Sequence, residues 1–242
     1  MRAKLRGTEI YFDIDGAALV PNGPRMLEKP VMFAIHGGPG MDHSGYKSSL
    51  PPLTDKVQIV YFDHRGQGRS ARGPKDTYTL DNNVEDMEAL RQYLGLEKIV
   101  LMGCSYGGMV ALTYATRYPQ NVSHLIAAVT SWEGRCLERG KQIVQEKGTP
   151  QQQAAAQVLF DGAFVDEQQM RDCMELLGPL YSLKYDKNLA KERRERQIIS
   201  PDAINHAFGG FLRTYNITAE LSKITMPTLV IGARHDWICA PE

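Results

Sequence analysis

The chain has 242 residues, enough for one large α/β domain with an insertion, and its 28 lysines and arginines balance 28 aspartates and glutamates. A net charge of +0 gives no long-range attraction to nucleic acid or to a membrane, which favours a small molecule or short peptide as the partner. No stretch reaches the roughly 20 apolar residues of a membrane span, the N-terminus resembles no export signal, and the four cysteines lack metal-ligand spacing, so we expect a cytoplasmic protein without metal or cofactor.

The first predicted elements are strands. Residues 5–15 alternate between apolar and polar side chains, which predicts an opening antiparallel hairpin with a possible turn at Thr8-Glu9. Two β-rich runs follow, at residues 31–35 and 57–62, and turn residues come after each. The chain therefore begins as a β-sheet.

The stretch HGGPG, residues 36–40, directly follows the strand predicted at 31–35. A glycine-rich turn after an early strand is where a serine hydrolase supplies one backbone NH group to the oxyanion of the reaction. Glycine before proline in a tight turn also favours the cis isomer, so we expect a cis peptide bond between Gly38 and Pro39.

A helix with apolar residues at helical spacing is predicted over residues 80–94, followed by a strand over 98–102 and a helix over 109–117. Between that strand and helix lies GCSYG, residues 103–107, which has the G-x-S-x-G form of a nucleophile elbow. Such a turn needs glycine on both sides of the serine because a side chain there would clash with the adjoining strand or helix. The pattern predicts a reactive serine at position 105.

The remaining strands are predicted at residues 125–129 and 228–231, and the interval between them contains only helix-like segments rich in glutamine and charged residues. Strands separated by helices indicate parallel β-α-β units. We therefore predict an α/β fold whose mostly parallel sheet is flanked by helices, with residues 1–130 and 225–242 as the core and residues 131–224 as an inserted helical cap.

Four motifs in this order resemble the α/β-hydrolase superfamily and, within it, the proline iminopeptidase-like serine peptidases. They are HGGPG at 36–40, DHRGQGRS at 63–70, the elbow at 103–107 with one more glycine at 108, and GARHD at 232–236. Related esterases and lactonases are similar in these motifs. The resemblance implies a serine hydrolase that acts through an acyl-enzyme and releases an N-terminal residue from small peptides or amides.

The resemblance also implies the roles of individual residues. Ser105 would be the nucleophile, Asp236 the acid that orients the base, and the NH groups of Gly38 and Tyr106 the oxyanion hole. Two alternatives remain open: Asp236 could be the N-cap of a following helix, and the Cys104 thiol could be the attacking group.

The family takes its general base from a histidine on a loop after one further strand, and none of the six histidines of this chain fits that position. We expect the base to lie beyond Glu242. Without a base a serine is a weak nucleophile.

The cap residues that would hold the substrate are less well defined by the sequence. Trp132 and Glu133 follow the strand that faces the site, and His206 lies on a predicted cap helix. We expect these three residues to bind substrate, although Glu133 could equally be a solvated helix-start glutamate. There are two alternative functions. One is an esterase or lactonase of the same fold, and the other is a noncatalytic ligand-binding module.

Overall fold

The computed structural model describes residues 1–241. Seven strands form one sheet in the order β1-β2-β6-β5-β7-β8-β9, and two more form a separate hairpin. The strands are β1 (Arg2–Leu5), β2 (Thr8–Asp15), β3 (Leu19–Asn22), β4 (Arg25–Glu28), β5 (Val31–Ile35), β6 (Gln58–Phe62), β7 (Ile99–Cys104), β8 (Val122–Ala128) and β9 (Thr228–Ile231). The helices are α1 (Leu80–Tyr93), α2 (Tyr106–Arg117), α3 (Arg135–Lys147), α4 (Pro150–Asp161), α5 (Glu167–Leu177), α6 (Lys187–Arg196) and α7 (Pro201–Phe208).

The sheet is parallel from β6 to β9 and antiparallel at the β1-β2-β6 end. This arrangement confirms the predicted α/β fold. All five residues of β5 are buried, as is usual for a parallel strand covered by helices on both faces. Strand β7 lies between β5 and β8, so the turn after β7 sits in the middle of the carboxyl edge, where open α/β sheets bind their ligands.

The N-terminal hairpin differs from the prediction in its turn. Thr8 and Glu9 were predicted as a possible turn, but they begin β2, and Leu5 pairs with Thr8. The turn is Arg6-Gly7, and both residues have positive φ, 45° and 75°. A two-residue turn of this kind matches the right-handed twist of the flanking strands, and its glycine was the signal in the sequence.

A second hairpin, β3 and β4, was not predicted. It pairs Leu19 with Glu28 and Asn22 with Arg25 outside the main sheet, around a turn at Gly23, whose φ is +62°. The Asn22-Gly23 dipeptide, which leads into this turn just before Pro24, was its only clear sign in the sequence.

Five helices, α3 to α7, lie between β8 and β9 in the chain. Capping residues define several of their starts: Thr149 and Gln152 form a reciprocal capping box at α4, and Asp166 accepts from the Gln169 NH at α5. We call residues 131–224 the helical segment. Its division from the core as a cap stays a prediction.

Strand β9 forms one edge of the sheet and pairs with β8. Its apolar residues are exposed, Val230 to 73% and Leu229 to 54%. Exposed apolar side chains on an edge strand form a surface that is suited to contact with another protein surface. Within residues 1–241, no helix is both long and apolar enough to cross a bilayer.

Candidate active site

Ser105 lies on the sharp turn between β7 and α2, as predicted. Its backbone has φ 54° and ψ −124°, a conformation that only glycine adopts without strain. The Ser105 NH donates to the Ala128 carbonyl at 3.0 Å, and the Ser105 carbonyl accepts from the Thr130 hydroxyl at 2.7 Å. The strained serine is thus held by the end of the neighbouring strand.

The glycines on either side of the serine are required by close backbone contacts. A Cβ atom on Gly103 would lie 2.2 Å from the Gly107 carbonyl oxygen, and one on Gly107 would lie 2.0 Å from the Ile35 carbonyl oxygen. Both distances are far below any real contact, and the atoms met are backbone. The structure therefore gives the physical reason for the G-x-S-x-G spacing.

The turn at residues 36–40 lies directly against the elbow. A Cβ atom on Gly37 would lie 3.0 Å from the Cys104 carbonyl oxygen and 3.4 Å from the Ser105 Cβ. The Gly38–Pro39 peptide bond is cis, as expected, and Gly38 has φ +116°. This contact brings together the two turns that were predicted to form an oxyanion hole, while the roles of the Gly38 and Tyr106 NH groups stay predictions.

The same turn is tied to the helical segment by two sets of bonds that the sequence did not reveal. The Ser200 NH, before α7, donates to the Gly40 carbonyl at 2.8 Å. Nearby, the buried Asp42 carboxylate accepts from the Ile198 NH at 3.1 Å and from the Arg69 guanidinium at 3.0 Å. The entry to α7 is therefore fixed to the loop that carries the HGGPG turn.

Asp63 and Arg65 have scaffold roles. The Asp63 carboxylate accepts from the backbone NH and the ring Nδ1 of His43, at 2.9 and 2.8 Å. Burial raises the pKa of Asp63, but the His43 hydrogen bond and nearby charges lower it more, so the net pKa lies below its usual value. Arg65 pairs with Asp86 of α1 through two bonds of 2.6 Å.

Tyr106 is the first residue of α2, and its side chain is buried. Its hydroxyl accepts a hydrogen bond of 2.6 Å from the Nδ2 of Asn83 on α1. The ring of His64 lies 5.7 Å from the Tyr106 ring on one side, and the ring of Phe211, from the helical segment, lies 6.2 Å away. Asn83 had no predicted role, because an asparagine inside a predicted helix carries no such signal.

Asp236 follows β9, on a turn closed by its own NH bonding to the Ala233 carbonyl at 3.0 Å. Its Oδ1 accepts from the NH groups of Ile238 and Cys239, at 3.0 Å each. The carboxylate therefore caps a turn rather than the α-helix of the alternative interpretation. The same contacts fix its orientation.

The charge of Asp236 reaches the elbow. Burial first, and then the negative charge of Asp236, raises the pKa of the Cys104 thiol. A raised pKa lowers the fraction of thiolate, which is the reactive form of cysteine. This environment disfavours Cys104 as the attacking group and favours its neighbour Ser105.

The six histidines occupy other places. Two are buried and bonded: the His36 Nε2 accepts from the His64 NH at 3.2 Å, and His43 pairs with Asp63. The His64 ring is buried beside His36, with both nitrogens unpaired among residues 1–241, and burial and then His36 hold its pKa well below the usual value. The exposed histidines are His124 and His235, and the half-buried one is His206.

Within residues 1–241, no hydrogen bond joins any of these rings to the side chains of Ser105 or Asp236. The expected base beyond Glu242 lies outside the described residues.

The three predicted substrate-binding residues do not share one environment. The Glu133 carboxylate is bonded to the Nε of Arg135 at 2.7 Å, and Trp132 is half exposed. Both line a cavity of about 760 Å³ formed with β8, α3 and β9, whose lining does not include Ser105. The His206 ring lies 6.1 Å from the Phe211 ring, which in turn contacts Tyr106. His206 is thus one ring removed from the elbow, and all three roles stay predictions.

No cluster of three or more histidine, cysteine, aspartate or glutamate side chains that could hold a metal ion occurs in the described part of the chain.

The chain is similar to known proteins of this fold. Residues 30–242 match the family model described as the alpha/beta hydrolase fold. A proline iminopeptidase from Pestalotiopsis fici, PfmaB, is 31% identical over 240 residues, which cover 96% of this chain and 84% of that protein.

Two solved structures have similar folds. The proline iminopeptidase of Mycobacterium smegmatis has a TM-score of 0.69 at 19% identity, with 98% of this chain and 82% of that chain covered. The esterase of Exiguobacterium antarcticum has a TM-score of 0.73 at 20% identity, with 99% and 83% covered.

Proposed function

We propose that this chain, a hydrolase that belongs to the α/β-hydrolase family, is a serine peptidase of the proline iminopeptidase type. Its substrates would be short peptides or amides from which it releases the N-terminal residue. The observation that carries the proposal is the strained Ser105, at φ 54°, packed against the HGGPG turn. The peptidase assignment is supported by the relative at 31% identity over 96% of the chain.

In the proposed mechanism the Ser105 Oγ attacks the carbonyl carbon of the scissile amide, and its proton passes to a general base. Negative charge develops on the carbonyl oxygen, which the NH groups of Gly38 and Tyr106 would bind. The C–N bond then breaks as the amine takes the proton, which leaves an acyl group on Ser105. Water hydrolyses this ester and restores the free serine.

Asp236 would orient the base. Its Oδ1 is engaged by the NH groups of Ile238 and Cys239, and its Oδ2 has no hydrogen-bond partner among residues 1–241. One carboxylate oxygen is therefore held by the backbone while the other is available to an imidazole NH. The helical segment would cover this edge of the sheet as a cap, a role supported by its bonds to Gly40 and Asp42.

The test compares hydrolysis of proline p-nitroanilide and p-nitrophenyl acetate by the 242-residue chain and by Ser105→Ala. Because no described histidine reaches Ser105, we expect low turnover, with Ser105→Ala lower still. Removal of a triad member leaves a residual rate of about 10³- to 10⁴-fold over water from the oxyanion hole and substrate binding. Added imidazole, as a substitute base, is expected to raise the Ser105-dependent rate.

The outcomes separate the alternatives. Hydrolysis of the ester without the anilide would support the esterase function, since an alkoxide leaves more easily than an amine. Rates equal in the protein and Ser105→Ala, with and without imidazole, would support a noncatalytic module and refute the proposal. Fast anilide hydrolysis without imidazole would place the base among the six histidines, and His206 would be the first to replace.

A further inference from the structure

A buried hydrogen bond joins the residue after the proposed nucleophile to a helix on another part of the sheet. The Asn83 Nδ2 donates to the Tyr106 hydroxyl at 2.6 Å, and both side chains are at most 2% exposed. Asn83 lies in the first turn of α1 and Tyr106 begins α2. The contact therefore fixes the far end of the Tyr106 side chain to a second helix.

Packing holds the Tyr106 ring on two more sides. The His64 ring meets it nearly at right angles, 74° between planes, and Phe211 contacts it from the helical segment. The hydroxyl bond adds a third contact, which restrains the far end of the side chain and, through it, the Tyr106 backbone. As a first-turn residue of α2, Tyr106 has an NH group with no partner inside the helix.

The amide of Asn83 is not explained by stability alone. Its Oδ1 is buried without a hydrogen-bond partner within residues 1–241. A buried polar atom left unpaired destabilises a fold, whereas replacing both members of a buried pair by apolar groups of similar shape can be nearly neutral. An apolar pair at positions 83 and 106 would thus join the two helices without that penalty.

We infer that Asn83 is a positioning residue that aims the Tyr106 NH at the oxyanion through the Tyr106 hydroxyl. The inference rests on the function proposed above, because it takes the Tyr106 NH as an oxyanion donor. Loss of one such donor lowers turnover by about 10²- to 10³-fold. A donor that is kept but moved is expected to cost less, about 3- to 10-fold, which corresponds to the net contribution of one neutral hydrogen bond.

The chain supplies a matched control on the same pair of helices. The Tyr114 hydroxyl, further along α2, donates to the Glu88 carboxylate of α1 at 2.5 Å, and both side chains are buried. A purely structural role for the Asn83 bond predicts that the two tyrosine bonds behave alike. Tyr114→Phe breaks an equivalent contact at a distance from the elbow.

The experiment uses Asn83→Leu, Tyr106→Phe, the double variant, Tyr114→Phe and Ser105→Ala. Ser105-dependent hydrolysis of p-nitrophenyl acetate is measured with imidazole present, for kcat and KM separately, together with urea unfolding. We expect kcat to fall about 3- to 10-fold in the Asn83→Leu, Tyr106→Phe and double variants with KM unchanged, because only the transition state gains from an aimed donor. The double variant should recover the stability lost in the single variants but not the rate.

A second measurement does not depend on turnover. Hydrogen exchange followed by mass spectrometry should show faster exchange of the amides at residues 105–108 in the double variant, and unchanged exchange there in Tyr114→Phe. Equal exchange in the double variant and the protein, or recovery of kcat together with stability, would overturn the inference. If instead Ser105→Ala hydrolyses the ester as fast as the protein, the proposed function fails, and the exchange result still decides the positioning role.

Discussion

Replacing Ser105 by glycine is expected to make the protein more stable while it removes the proposed nucleophile. Ser105 holds φ 54° and ψ −124°, and a non-glycine residue in such a region costs about 1–3 kcal/mol. Glycine adopts it freely but loses roughly 0.5–1 kcal/mol more conformational entropy on folding than alanine does. Compared with Ser105→Ala, which keeps the Cβ atom, Ser105→Gly should therefore raise the free energy of unfolding by about 1 kcal/mol.

The assay is urea unfolding of both variants under one buffer condition, with the midpoint and slope fitted together. Ser49, which is exposed and has no positive φ, supplies the control. At that position the order should reverse, so that Ser49→Gly is less stable than Ser49→Ala. A Ser105→Gly variant no more stable than Ser105→Ala would show that the elbow stores no strain at the serine.

Two more substitutions, one of them with a control, test the contacts around the elbow and the HGGPG turn. Gly107→Ala should lower the free energy of unfolding by about 3 kcal/mol, because its Cβ would lie 2.0 Å from a carbonyl oxygen of β5. The control is Gly45→Ala, whose Cβ would have no atom within 4 Å, and it should change the free energy of unfolding in urea by less than about 0.5 kcal/mol. Asp42→Asn should cost about 2 kcal/mol and speed hydrogen exchange at Ile198, since the carboxylate accepts that NH.

Burial raises the pKa of Glu88, but its hydrogen bonds lower it to about 2 from an ordinary 4.5. Its stabilisation is then complete above about pH 4.5 and lost as pH falls towards 2, a dependence that Glu88→Gln should flatten in unfolding measured against pH.

The strands at the site could be predicted closely from the sequence. The bounds predicted for β5 and β9, residues 31–35 and 228–231, are those observed. Both are short apolar runs followed by turn residues, a pattern typical of parallel strands, although β5 is buried and β9 lies exposed at the edge of the sheet. The elbow could also be predicted, because its two glycines and serine form a pattern of five consecutive residues, even though the Gly107 contact that requires one of the glycines is with distant β5.

The bonds that hold the site in place could not be predicted in the same way. Asn83 and Tyr106 are 23 positions apart, and Asp42 and Ile198 are 156 apart. No local pattern marks such pairs, because each member is an ordinary residue for its own element. The ion pair between Glu133 and Arg135 was not predicted either, because nothing in the sequence marks the exposed Arg135 as its partner.

The strain at Ser105 bears on whether the site is catalytic or only binds a ligand. A serine at φ 54° persists only where its surroundings impose that conformation, and here they do so through the Ala128 carbonyl, the Thr130 hydroxyl and two glycines that admit no side chain. A binding module would gain nothing from a serine held in this way, since glycine fits the same turn without strain. A serine held in this way beside the HGGPG turn is suited to a reaction in which its oxygen attacks a carbonyl carbon. Among residues 1–241 no histidine ring is hydrogen-bonded to Ser105, so we expect a low rate of hydrolysis from these residues. The strained turn nevertheless favours a serine hydrolase over a noncatalytic fold.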